Sequence, residues 1–285
     1  MKTTDLFGKK TVFSLEIFPP RADMGENVIY ETLDALHDVN ADFISVTYGR
    51  NSGQDGCRTV KIASDIKHKY GVESIAHLPC SGVSKDTMIR ILDALKENEI
   101  DNILALRGDL PDGEAVNGDF LHADELISFI KSRYDFNILA ACYPECHPEA
   151  TSYDDDIEHL KRKVDCGADH LITQLFLDNT HFYRFMYKAN RKGINVPVEA
   201  GIMPVTNKRQ IERMVKMCGV ELPGKFMKIL DKYGDNEKAL KDAGIAYAVD
   251  QITDLMANDV DGIHLYTMND PYVAHKIYEA VCNLI

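Results

Sequence analysis

One carboxylate stands inside an otherwise apolar run. Glu16 interrupts Val12–Phe18 and is followed by Pro19 and Pro20, which end any strand at that point. Flanked by Leu15, Ile17 and Phe18, its carboxyl group would be partly desolvated, which favours the protonated form and suits a proton donor. The same residue would serve equally as a rim carboxylate paired with Arg21. A second candidate is Arg107-Gly108-Asp109, which follows an apolar run and precedes Leu110-Pro111. Glycine permits close backbone approach there, so the charged pair either serves a ligand or closes a turn as a salt bridge.

The segment from Tyr143 to Lys163 is richer. Tyr143, Glu145 and His147 in YPECHPEA lead to Thr151 or Ser152 as a helix N-cap, with Asp154–Asp156 in the first turn. Asp156, His159 and Lys163 then recur at i, i+3 and i+7 on one helical face, with Arg162 beside them. An acceptor, an imidazole and cations on one face can hold ribose hydroxyls and a pyrophosphate; otherwise the face is simply solvated. Gln174 ends the run Leu171-Ile172-Thr173. Its amide can donate and accept at once, as a pterin or carboxamide edge requires, or it is satisfied by backbone. Thr47 and Tyr48 in SVTYG, His77 in AHLPC, and Tyr266 and Asn269 in HLYTMND also close apolar runs.

These residues need a scaffold that gathers strand ends. Short β-rich runs occupy Val12–Phe18, Phe43–Tyr48, Ser74–Leu78, Asn102–Leu106, Asn137–Cys142, His170–Phe176, Pro197–Ile202 and Gly262–Tyr266. Amphipathic segments such as Asn27–Leu36, Lys85–Lys96, Asp156–Cys166, Gln210–Cys218 and Asn236–Met256 lie between them. Strands separated by helices pair in parallel, and eight such units in 285 residues fit one closed (β/α)8 barrel of the TIM type. An open doubly wound α/β sheet would usually carry a glycine-rich phosphate loop after its first strand, where this chain reads FPPR. ELPGKFMKILDKYGD, ending at Asp235, predicts a short helical insertion after the seventh unit. In such barrels chemistry sits at the C-terminal strand ends, where the polar residues above accumulate. No linker divides the chain, so residues 1–285 are expected to form a single domain.

Composition narrows the partners. A formal net charge of -13 argues against nucleic acid and against anionic membranes, while leaving room for one basic cleft. The seven cysteines are scattered and contain no CxxC pair, so no metal site is expected. The N-terminal MKTTDLFGKK lacks the apolar core of a signal peptide, and no run is long enough to span a membrane. The expected location is cytoplasmic, with reduced thiols.

Taken together, FSLEIFPPR, VTYG, ALRGDLP, YPECHPEA, LKRKVDCGAD, ITQLFLD, GIMPVTN and HLYTMN stand in the order and spacing of one family. The chain resembles the flavoprotein methylenetetrahydrofolate reductases of the bacterial, barrel-only type, from about Phe13 to about Asn269. The resemblance implies FAD at the barrel mouth, held by Thr47, Tyr48, His77, Arg107, Gly108, Asp109, Ala123, Tyr143, His147, Ala150, Asp156, His159, Arg162 and Lys163. It implies Glu16 as general acid and Asp109 as the carboxylate near the flavin. Gln174 and Gln210 match the folate contacts, and Thr47 and Gln174 would also lie near the nicotinamide. The implied reaction is ping-pong reduction of methylenetetrahydrofolate by NAD(P)H in a homo-oligomer. Two positions depart from the family. Asp270 stands where many relatives carry an arginine suited to the substrate's glutamyl tail, with Lys208 or Arg209 as compensating cations. Met214 replaces a stacking aromatic ring. Both departures leave a redox partner protein as an alternative electron donor. A flavin-free barrel lyase or aldolase using Lys163 and Glu16 is the remaining alternative.

Overall fold

The structure is a computed structural model, and it describes residues 1–20, 25, 27–48, 57–108 and 118–285. Eight parallel strands close into a barrel in which each strand pairs with its sequence neighbours and β8 returns to β1. The first half runs β1 Val12–Ile17, α1 Asn27–Leu36, β2 Phe43–Val46, α2 Cys57–Lys69, β3 Glu73–Pro79, α3 Lys85–Glu97, β4 Asn102–Leu106 and α4 Ala123–Lys131. The second half runs β5 Asn137–Cys142, α5 Tyr153–Asp165, β6 His170–Thr173, α6 Asn179–Arg191, β7 Val198–Ile202 and α7 Lys208–Cys218. Then come α8 Gly224–Tyr233, α9 Glu237–Ala257, β8 Gly262–Tyr266 and α10 Pro271–Val281. The expected (β/α)8 barrel is therefore present, and α8 is the helical insertion after the seventh unit.

Alternation along each strand separates two cores. On β1, Phe13, Leu15 and Ile17 pack outward against the helices. Val12 points the other way, into a layer with Phe43, Ile75, Leu104, Leu139 and Ile172 at the N-terminal end of the barrel. Leu6, which ends a 3-10 turn at Thr3–Leu6, and Phe7 pack beneath that layer. The same parity puts Ser14 and Glu16 inside, above Val12. Side chains of Ser84, Ser152, Asp178, Asn207, Asn236 and Asp270 cap α3, α5, α6, α7, α9 and α10 by accepting first-turn N–H groups.

Strands end earlier than apolar runs suggest wherever another element takes the backbone. β6 stops at Thr173 although the run continues to Phe176. The Phe176 and Leu177 carbonyls accept from Gln251 and Tyr247 of α9, at 2.9 and 2.6 Å, so this segment is satisfied without a strand neighbour. Leu175 and Leu177 enter a second core with Met203, Val205, Phe226 and Leu230, which seats the insertion. Helix α5 starts at Tyr153 as its cap implies: Ser152, one of the two expected N-caps, accepts from Asp155 N, and Asp154–Asp156 fill the first turn.

Candidate active site

Glu16 lies near the C-terminal end of β1, in register with Ser45 of β2 and Tyr266 of β8. It is only 7% exposed, and its Oε2 sits 3.5 Å from His77 Nε2 and 3.6 Å from His264 Nε2. These are contacts at the outer edge of hydrogen-bonding distance. Burial pushes the His77 imidazole down to about 4, against the opposing pull of Glu16, so it is neutral near pH 7. His77 Nε2 is buried with no hydrogen-bond partner among the described residues. Tyr266 donates to the Thr173 carbonyl at 2.7 Å, and burial holds its phenol well above the ordinary value.

His77 sets a pH limit on stability. Its folded value lies below the ordinary 6.5, so the unfolded chain takes up the proton first as pH falls. Stability from this group is complete above about pH 6.5 and is lost on descent to about 4, roughly 3 kcal/mol in all. Urea unfolding of wild type and His77→Gln should show a steeper acid loss for the wild type. Parallel losses would remove His77 as the cause.

Beneath Glu16 lies a polar group that apolar-run reading does not single out. Ser14 Oγ is 2.7 Å from Glu199 Oε1 and 2.7 Å from His264 Nδ1, and all three residues are fully buried. His170 Nε2 stands 3.5 Å from Glu199 Oε2. Space for Glu199 comes from Gly262, its register partner: a Cβ there would lie 2.8 Å from Glu199 Cγ. The available signal was the one that marked Glu16, a polar residue inside a short apolar strand.

Around this centre the mouth is built from neighbouring strand ends. Thr47 follows β2 and donates its N–H to the Ile17 carbonyl at 3.1 Å, which ties it to the end of β1. Tyr48 follows it, half-buried. After β4, Gly108 has φ +91°, and a Cβ would fall 2.9 Å from Pro79 Cβ, so only glycine lets this turn lie against β3. Arg107 pairs with both carboxylate oxygens of Glu149, with Nη2–Oε1 at 2.7 Å. That contact holds the Glu149 carboxyl below its ordinary value. Asp109 lies outside the described residues, as does Arg21, the rim partner considered for Glu16.

The β5–α5 loop and α5 form the next wall. The rings of Tyr143 and His147 meet edge to face at 4.6 Å. The Asp156 carboxylate accepts the His147 N–H at 2.9 Å, and Ala150 N donates to the His147 carbonyl at 3.0 Å. Glu149 N donates to His147 Nδ1, so the neutral ring carries its proton on Nε2. Burial lowers this imidazole below its ordinary value. Lys163 reaches the Ala141 carbonyl at 2.7 Å, and burial lowers its ammonium as well. Arg162 and His159 are more exposed: Arg162 Nε lies 3.9 Å from Asp124, and His159 lies 3.4 Å from Asp155. Ala123 opens α4 on the same side.

The residues expected to contact substrate are less uniform. Gln174 turns its amide back, and Oε1 accepts from Leu175 N at 2.8 Å. Gln210 sits in the first turn of α7, its N–H bound by the cap Asn207. Asp270 caps α10 and is paired with Lys241 at 2.6 Å, so its negative charge is offset. Lys208 stands 4.0 Å from Asp235, while Arg209 is exposed. Met214 packs against the second core. Among the described residues no group of three or more His, Cys, Asp or Glu could hold a metal ion. None of the described helices is long and apolar enough to cross a membrane.

The methylenetetrahydrofolate reductase family model matches residues 2–282. The 5,10-methylenetetrahydrofolate reductase of Escherichia coli is 37% identical over 264 residues, covering 93% of this chain and 88% of that protein. Methylenetetrahydrofolate reductase (NADH) 1 of Arabidopsis thaliana is 35% identical over 275 residues; the match covers 91% of this chain and 46% of the plant protein. The chain thus spans about half the length of its plant relatives. A Clostridium thermocellum protein solved with two copies of 5-methyl-5,6,7,8-tetrahydrofolic acid superposes with a TM-score of 0.66 at 13% identity. It covers 96% of this chain and 95% of its own, a likeness of fold alone. Family match and identity over nearly the whole chain lead to one conclusion: the protein belongs to the methylenetetrahydrofolate reductase family, a family of oxidoreductases.

Proposed function

We propose that the protein reduces methylenetetrahydrofolate to methyltetrahydrofolate with electrons from NAD(P)H, using FAD at the C-terminal mouth of the barrel. The observation that carries this reading is Glu16, buried beside a neutral His77 at the bottom of a mouth lined with cations and hydrogen-bonding groups. The mouth suits a flavin dinucleotide. His77 Nε2 is a buried polar atom without a partner among the described residues, which a polar ligand edge would supply. Arg107, Arg162 and Lys163 offer charge for a pyrophosphate, and Asp156 and His159 offer partners for hydroxyls. Tyr48, Gly108, Ala123, Tyr143, His147 and Ala150 complete the cradle. Bound FAD would supply the hydride chemistry, accepting from the nicotinamide and giving to the folate.

The chain's own residues then have distinct tasks. Glu16 donates a proton to the bridging nitrogen of the folate, which opens the five-membered ring and leaves a cationic methylene group as hydride acceptor. His77, being neutral, adds no positive charge beside that cation. Asp109 is the carboxylate that would stabilise it. Thr47, Gln174 and Gln210 orient the folate, for which Gln174 must release Leu175 N. The test is direct. The purified protein should take up FAD, with absorbance near ~370 and ~450 nm, and be bleached anaerobically by NADH or NADPH. A colourless protein that refuses FAD overturns the reading. A flavoprotein bleached by neither nucleotide assigns the donor role to a redox partner protein.

A further inference from the structure

We propose that Asn269 is a positioning residue for Glu16, acting through the backbone of Phe18; the inference rests on Glu16 being the proton donor. Strand β1 ends at Ile17, and the next two residues after Phe18 are prolines. Neither proline has an N–H, so the sheet cannot hold this exit beyond Phe18. Asn269 takes over. Its Oδ1 accepts the Phe18 N–H at 2.9 Å, and its Nδ2 donates to the Phe18 carbonyl at 2.9 Å. One side-chain amide thus stands where a neighbouring strand would be.

The turn that presents this amide is held on the same strand. Met268 and Asn269 both adopt left-handed backbone, with φ of 53° and 56°, which non-glycine residues rarely keep without support. Thr267 provides support: its hydroxyl accepts Asn269 N–H at 3.1 Å and donates to the Glu16 carbonyl at 2.7 Å. Thr267 N also donates to that carbonyl at 3.3 Å. The exit of β8 therefore grips β1 at Glu16 and again at Phe18. The carboxyl itself is faced by His77, His264 and Tyr266, yet His77 Nε2 makes no hydrogen bond to it. Among the described residues no side chain hydrogen-bonds the Glu16 carboxyl, so what holds it there is the backbone of β1.

Asn269→Gly separates the two contributions, because glycine keeps the left-handed turn and removes only the amide. Asn269→Asp is the second variant, keeping the acceptor for Phe18 N–H while setting an anion against the Phe18 carbonyl. The two half-reactions of the FAD-loaded enzyme are followed anaerobically by stopped flow across pH. Both variants should take up FAD and be bleached by NAD(P)H as the wild type is. Reoxidation by methylenetetrahydrofolate should slow about 10- to 100-fold, the cost of a small misplacement of a reacting group. The midpoint of its pH profile should move, since the carboxyl changes its distance from the groups facing it. A folate half-reaction at the wild-type rate, or equal slowing of both half-reactions with an unmoved midpoint, overturns the proposal. Wild-type flavoprotein that methylenetetrahydrofolate does not reoxidise overturns the functional reading itself, a result seen before any variant is made.

Discussion

Glu16→Gln is expected to take up FAD and be bleached by NAD(P)H normally, yet to reduce methylenetetrahydrofolate about 100- to 10,000-fold more slowly. The substitution keeps shape and polarity but leaves an amide that cannot act as the acid. Two of the groups facing it, His77 and Tyr266, are not suited to take its place. His77 is neutral, with its imidazole at about 4, and is flanked by apolar burial. Tyr266 has a phenol raised far above its ordinary value and already committed to the Thr173 carbonyl. The loss should therefore appear in the folate half-reaction alone. Near-normal folate turnover would contradict the assignment, and slowed bleaching would mean that Glu16 serves nicotinamide or flavin binding instead.

Gly201→Ala should cost on the order of 3 kcal/mol or more and take the site down with the barrel. A Cβ at this position would lie 2.2 Å from the Thr173 carbonyl oxygen and 2.7 Å from the Tyr266 hydroxyl. Neither can yield easily. Thr173 is the last residue of β6, and its hydroxyl accepts the Gly201 N–H at 2.8 Å. Tyr266 of β8 reaches over β7 to the Thr173 carbonyl of β6, and Tyr266 pairs in register with Glu16. The strain would thus spread from β7 to both neighbouring strands. Gly224→Ala is the control, since nothing lies within 4 Å of its added Cβ. Urea midpoints should separate the two variants widely. Equal midpoints would show that the barrel relaxes around Gly201 at little cost.

The parts of this protein that repeat at short range could be read from its residues. Eight apolar runs gave eight strands, because a barrel strand is buried on both faces and must look apolar throughout. Glu16 was visible as an exception to that rule. Glu199 and His264 are exceptions of the same kind, but runs of five residues, VEAGI and GIHLY, offer little apolar sequence to set them off. Asp156 and Lys163 were placed on one face by helical spacing, and in the fold Asp156 accepts from His147 of the β5–α5 loop while Lys163 donates to Ala141 of β5. His159 and Arg162 share the helix yet remain more exposed, with Asp155 and Asp124 as neighbours.

What sequence could not supply was pairing between distant positions. Asp270 reads as an unopposed anion until Lys241, from a different helix, is seen beside it. Asn269 reads as a polar strand-end residue, and only the closure of β8 on β1 reveals its bond to Phe18. The early ends of β1 and β6 have the same origin, since side chains of remote elements satisfy backbone that the apolar run alone would assign to the sheet.

The most direct measurement is an anaerobic one on the wild-type protein. FAD-loaded enzyme is reduced with NADH or NADPH, or with dithionite if neither works, and then mixed with methylenetetrahydrofolate. The expected result is return of the oxidised flavin spectrum with stoichiometric methyltetrahydrofolate, fast in wild type and nearly absent in Glu16→Gln. Reduced flavin that stays bleached in wild type, or reoxidises equally well in both proteins, would contradict the account.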